Sequence, residues 1–134
     1  MTNGTIAFDT LTTSDTVNTG TEKSIDTSYL FNGIPKAWVN FDGSAGSLSP
    51  RDSFNVNSLT DNGTGYFTIT FTNAMSSDDY VRIGSAGENA NTGGNRVLGL
   101  RLPATGSFNI IAQNTGGNSS DTQDTCVTAL GDLA

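Results

Sequence analysis

Histidine is absent from the 134 residues, and cysteine occurs once, at Cys126. An intrachain disulfide is therefore excluded, as are zinc sites built on cysteine clusters or on histidine. The same gap removes the Ser-His-Asp and Cys-His pairings that activate nucleophiles. Cys126 stands in the alternating stretch Asp124-Thr125-Cys126-Val127-Thr128, which reads as a small buried or half-buried side chain and not as a reactive thiol. Basic residues are scarce too. Six Lys and Arg face 13 Asp and Glu, for a net charge of -7, and the six are dispersed, so the footprint that binds a phosphate backbone is missing and nucleic acid is not an expected partner. No apolar run is long enough to span a membrane, and Met1-Thr2-Asn3-Gly4-Thr5 lacks the cationic start of a secretory signal. The expectation is a soluble chain made in the cytoplasm. The glycan-acceptor words Asn3-Gly4-Thr5, Asn62-Gly63-Thr64 and Asn118-Ser119-Ser120 carry no weight without such a signal.

What fills the chain instead is uncharged and polar. Hydrophobic residues make up 34% and charged residues 14%, and Thr, Ser, Asn and Gly take up much of the rest, a balance typical of β-rich extracellular or particle-surface proteins. Disorder is argued against by regular alternation of aromatic and β-branched residues with hydroxyls. In Lys36-Ala37-Trp38-Val39-Asn40-Phe41, the residues Ala37, Val39 and Phe41 share one face of a strand. Trp38 then lies on the polar face, where it covers an edge or packs on a neighbouring chain. Pro50-Arg51-Asp52 reads as the start of a turn.

Phe54 to Thr60 and Tyr66 to Thr72 flank Asp61-Asn62-Gly63-Thr64-Gly65, which has the composition of a hairpin loop. Phe54 and Val56 are expected on the buried face with Phe67, Ile69 and Phe71, and Thr68, Thr70 and Thr72 on the outer one. Further strands are expected at Tyr80 to Gly84, Arg96 to Leu102, Phe108 to Gln113 and Thr122 to Leu130. The loops Gly87 to Asn95 and Asn114 to Ser120 each contain Thr-Gly-Gly-Asn, which reads as reuse of good turn residues and not as a structural repeat. No apolar stripe of helical length appears, and Ser76 to Tyr80 would form one helical turn at most. The predicted class is all-β, an antiparallel β-sandwich or jelly-roll-like domain over residues 36–134.

Residues 1–35 differ. Ile6, Phe8, Leu11, Val17 and Ile25 are too thinly spaced to build a core of their own. The segment is predicted to lie as an extended arm against the rest of the molecule or against a partner, with Ser28 to Pro35 as the junction and a turn at Asn32-Gly33.

Catalytic candidates do not accumulate. The acidic residues are the only titratable set of any size, and a glycoside-cleaving pair needs two carboxylates held across a sugar with one pKa raised, which sequence cannot place. Asp78-Asp79 and the Asp121 to Asp124 spacing match no cation-loop pattern, and Gly43-Ser44-Ala45-Gly46 lacks the Lys-Ser/Thr of a phosphate cradle. No catalytic, cofactor-binding or metal-ligating residue is assigned, and no cofactor is expected.

Five stretches suggest a family: Lys36 to Gly43, Arg51 to Val56, Leu59 to Gly65, Phe71 to Met75, and Tyr80. In this order and spacing they resemble a module that recurs in tailed bacteriophages, many of them marine. In that module a K-x-W-V-N-F-(N/D)-G segment precedes an R-x-S-(F/Y)-N-V-(S/N)-x-(I/L)-T-D-N-G-x-G block and an F-x-x-A-M block. Ser24 to Thr27 and the closing Gly131-Asp132-Leu133-Ala134 are similar to such proteins less specifically, and between Val81 and Thr125 the resemblance fades. It implies a β-rich, trimeric virion structural protein of the particle surface, found in tail-fibre tips and small standalone virion proteins, with no catalytic residue to carry over. The expected role is a capsid decoration protein or short fibre-like appendage, made in the host cytoplasm and touching major capsid or tail proteins. The alternative is a receptor-binding fibre tip that recognises host surface carbohydrate. Oligomer or partner contacts are expected at Ile6, Phe8, Leu11, Tyr29, Phe31 and Trp38, and receptor-facing loops at Asn91, Asn95, Asn114 and Asn118.

Overall fold

A computed structural model describes residues 10–13, 23–88 and 96–134. The chain divides into two compact units at Ile34/Pro35. In the first, β1 (Thr10–Thr13) pairs antiparallel with β2 (Lys23–Asp26), and α1 (Thr27–Gly33) follows. Sequence periodicity does not announce α1, because seven residues are too few to show a stripe. Gly33 and Pro35 stop it where a helix loses its donors. The expected turn at Asn32-Gly33 is therefore the last turn of this helix. Ser76 to Tyr80 forms bends instead of a helical turn, with the Asp79 N–H donating to Ser77 Oγ at 3.2 Å.

The second unit is a β-sandwich. One antiparallel sheet has the order β4-β3-β10-β7, built from β3 (Pro35–Phe41), β4 (Pro50–Phe54), β7 (Val81–Gly87) and β10 (Asp124–Leu130). The other has the order β5-β6-β9-β8, built from β5 (Val56–Gly63), β6 (Tyr66–Phe71), β8 (Arg96–Ala104) and β9 (Ser107–Asn114). Side chains alternate across each strand, so every second residue meets the opposite sheet. Ala37, Val39, Phe41, Val127 and Ala129 from the first sheet pack against Phe67, Ile69, Phe71, Phe108 and Ile110 from the second. Phe41 and Phe67 meet edge to face at 5.3 Å, and Phe71 and Tyr80 at 5.7 Å. Such ring pairs add about 0.5–1.5 kcal/mol each beyond the area they bury.

Two expectations are corrected here. Pro50-Arg51-Asp52 is not a turn but the start of β4, an edge strand where a proline costs no ladder hydrogen bond. Phe54 is not buried beside Val56: it ends β4 in the first sheet, while Val56 begins β5 in the second. The break is Asn55, held at φ 54°, a left-handed value that asparagine tolerates better than most residues. Asn55 Oδ1 accepts the Asn73 N–H at 2.7 Å and its Nδ2 donates to the Asn73 carbonyl at 3.1 Å, which fixes the crossing against the end of β6. In β5 a bulge between Val56 and Ser58 shifts the alternation, so Val56 and Leu59, three residues apart, both reach the core.

The β5–β6 hairpin forms as the turn residues predict. Its tightest point is Gly65, at φ 68°, where a Cβ would stand 2.5 Å from the Ala112 carbonyl oxygen and 2.7 Å from Ser120 N. The Gly65 N–H donates to Asp121 Oδ1 at 2.6 Å. The loop around Asn114 to Ser119 closes through a Gly117 N–H to Asn114 carbonyl bond at 2.9 Å and a Gln113–Ser119 bridge. Among the described residues no helix is long and apolar enough to cross a membrane.

Candidate interaction face

Each sheet has an outer face, and the two differ. On β5-β6-β9-β8 the cross-strand row Thr60–Thr68–Asn109–Arg101 and the row Ser58–Thr70–Ser107–Ala104 are dominated by hydroxyl and amide side chains. This is the wet surface that a half-buried antiparallel sheet ordinarily presents. Asn109 Nδ2 donates to the Tyr66 hydroxyl at 2.7 Å and Asn62 Nδ2 to Thr68 Oγ1 at 2.8 Å. Ile111, laid over Gly99 on β8, and Val97 are apolar members of this face, and Leu102 farther along β8 is 67% exposed.

On β4-β3-β10-β7 the corresponding central row is Phe54–Trp38–Thr128–Ile83. Phe54 is 53% exposed, Trp38 37%, Ile83 56% and the neighbouring Val81 58%. Thr128 spends its hydroxyl on the Ala37 carbonyl, 3.1 Å away, and so offers mainly its methyl. The next row, Asp52–Asn40–Cys126–Ser85, is small and polar. Between the indole of Trp38 and Ile83, these small side chains leave a hollow of about 360 Å³, with Asn40, Ser85, Cys126 and Thr128 in its lining.

One end of this face is tied by charge. Arg51 on β4 reaches Asp42 at 3.4 Å, Asp124 at 3.2 Å and the Gln123 carbonyl at 2.6 Å. Asn40 Nδ2 donates to Asp124 Oδ1 and to Cys126 Sγ, each at 2.9 Å. The Asp42 carboxylate is held below the usual carboxylate range by the hydroxyl and N–H of Ser44, with Arg51 adding to the effect. Exposed ion pairs of this kind contribute at most about 1 kcal/mol. Their role is to hold the β3–β4 loop against the start of β10.

The five stretches singled out in the sequence supply core, turns and ties. Val39, Phe41, Phe71, Met75 and Tyr80 are buried, Gly65 and Asn55 set backbone turns, and Arg51 ties a loop. Trp38 is the exception, since it faces outward as expected. Of the other expected contact residues, Tyr29 and Phe31 lie on α1 and are exposed, Leu11 lies on β1 in register with Ile25, and Ile6 and Phe8 fall outside the described residues. Asn91 and Asn95 also fall outside them. Asn114 spends its side-chain oxygen on the N–H groups of Gly116 and Asn118, at 2.9 and 3.0 Å, so it staples its own loop. Among the described residues, no three acidic or cysteine side chains gather in a way that could hold a metal ion.

Sequence reasoning missed Phe54, Val81 and Ile83 as neighbours of Trp38. Phe54 was masked by its place two residues before Val56. For Val81 and Ile83 the signal was their i, i+2 spacing around Arg82, but spacing alone does not say which strand lies alongside. No protein-family model, no curated protein and no solved structure matches the chain.

Proposed function

We propose that the chain is a structural protein of a bacteriophage particle surface, present in many copies and without catalysis, serving as a capsid decoration protein or a short fibre-like appendage. The observation that carries this reading is the ordered run of words from Lys36 to Tyr80, whose resemblance to phage virion modules implies a β-rich domain, and the second unit is a β-sandwich. The fold supports the reading in a second way: these words place their residues in the core, the turns and the loop ties, with Trp38 turned outward. Its partners are then further copies of itself, as a trimer, and the major capsid or tail proteins.

Labelling intact phage particles with antibody raised against the purified protein tests this reading. Regularly repeated label on head or tail is expected, and deletion of residues 1–34 lowers incorporation. Particles that carry no label refute it. Purified protein that blocks adsorption to host cells would move the assignment to a carbohydrate-recognising fibre tip.

A further inference from the structure

We infer that the outer face of the β4-β3-β10-β7 sheet is the surface through which copies of this chain meet, with Trp38 of one copy seated in the hollow beside Trp38 of the next. The inference deepens the reading above and rests on its multi-copy part, not on its phage part.

The other sheet provides an internal control. Both sheets belong to one sandwich and both turn a face outward, yet the cross-strand rows of one are dominated by hydroxyls and amides, with Val97 and Leu102 exposed on its edge strand β8, while the other sets Phe54, Trp38 and Ile83 in a single cross-strand row beside Val81. Packing within the domain does not require the second arrangement, because the core is already filled by the opposite side chains of the same strands.

Area, charge and shape select a second copy as the occupant. The four apolar side chains together expose on the order of 400 Å², within the range of the largest apolar patch of a soluble protein, which is often functional. That is about half of the ~800 Å² that each partner gives to a stable interface. Thr128 among them adds its methyl, and the small side chains of Asn40, Ser85 and Cys126 beside them extend the surface. The chain carries a net charge of -7, so two copies repel over most of their surfaces. The central row of this face holds no charged residue and the next only Asp52, at the β4 edge, while the charges that border them, Lys36 on β3 and the Arg51–Asp42–Asp124 tie, are of both signs, so repulsion is weakest where the copies touch.

Shape adds the pairing rule. The large rings sit on β4 and β3, and the small side chains of Ser85, Cys126 and Thr128 sit on β10 and β7. A projecting ring beside a hollow on one face is self-complementary. A two-fold axis lying in the contact plane exchanges them, and three copies around a three-fold axis set the ring half of each against the hollow half of the next. The hollow, at about 360 Å³, has room for an indole.

Trp38 is the only tryptophan, so its fluorescence reads this contact without a label. The full chain is purified, and its mass is followed by analytical ultracentrifugation over a dilution series while emission and acrylamide quenching are recorded. Expected are a dimer or trimer with blue-shifted, poorly quenched emission, and a red shift that tracks dissociation on dilution. Ser85→Arg places an uncompensated charge in the hollow and weakens association by roughly tenfold or more. Thr60→Arg, on the outer face of the other sheet, leaves association unchanged, and circular dichroism checks the fold of both variants. A monomer at every concentration overturns the inference, whether its indole is exposed or covered by the chain's own residues. An oligomer indifferent to Ser85→Arg also overturns it. Because the measurement needs no particle, its failure is separate from a failure to find the protein on phage.

Discussion

Among the described residues Thr122 and Thr125 are the fully buried polar ones, and their hydroxyls share one hydrogen bond of 2.5 Å. A valine at either position keeps the shape and replaces the hydroxyl with a methyl. In the single variants Thr122→Val and Thr125→Val, the remaining hydroxyl is left in an apolar setting without its partner, which costs about 1–3 kcal/mol. In the double variant no unpaired hydroxyl remains, and the cost falls to near zero. The cycle is therefore strongly non-additive: two singles near 2 kcal/mol each, and a double far below their sum. Urea unfolding measures this. With a slope of about 1–3 kcal/mol per molar urea, each single variant moves the midpoint down by about 1 M, the slope itself staying constant, and the double returns it toward the parent value. Single variants within about 0.5 kcal/mol of the parent, or a double equal to the sum of the singles, would refute the reasoning.

Two further outcomes follow from the turn and from the ring stack. Gly65→Ala combines a left-handed backbone with a Cβ 2.5 Å from the Ala112 carbonyl oxygen, so its melting temperature should drop by the equivalent of roughly 3 kcal/mol, whereas Gly106→Ala, with open space around it, should change little. Burial raises the pKa of the Tyr80 hydroxyl, which donates toward the carbonyls of Ala104 and Ser107 at 3.1 and 3.0 Å. The folded state thus holds that proton more tightly than the unfolded chain does. The contribution is intact below about pH 10 and is lost as pH rises beyond it. Tyr80→Phe should flatten that alkaline decline in a series of melts, and an unchanged slope would count against it.

The second unit was legible in the sequence wherever alternation was clean. Tyr66 to Phe71 and Lys36 to Phe41 announce their buried faces because every second residue is apolar, and Asn62-Gly63-Thr64-Gly65 announces the hairpin between β5 and β6. Legibility failed where one residue changed the rule. At Asn55 the chain leaves one sheet for the other, which is a backbone event that hydrophobic pattern does not encode, so Phe54 and Val56 looked like neighbours on one face. The bulge after Val56 shifted the count again. Trp38 could be set on a polar face from its neighbours alone, but Phe54 and Ile83 join it only through pairings of β3 with β4 and of β10 with β7. Local periodicity carries no record of which distant strands lie side by side. Neither the Arg51 tie to Asp42 and Asp124 nor the Thr122–Thr125 pair has a linear signature.

Strand β10 lies between β3 and β7, with Thr125 opposite Phe41 and Leu130 opposite Val81, although it follows the other seven strands of the sandwich in the chain. Until residues 124–130 have left the ribosome, β3 has no partner on its inner edge and β7 has none at all in its own sheet. The sandwich must therefore wait for a closing segment that arrives after its other seven strands. Contacts between such distant parts of the chain make for slow folding, and an unfinished product cut short before Asp124 would present the inner edge of β3 and the whole of β7 unpaired to every other unfinished copy nearby.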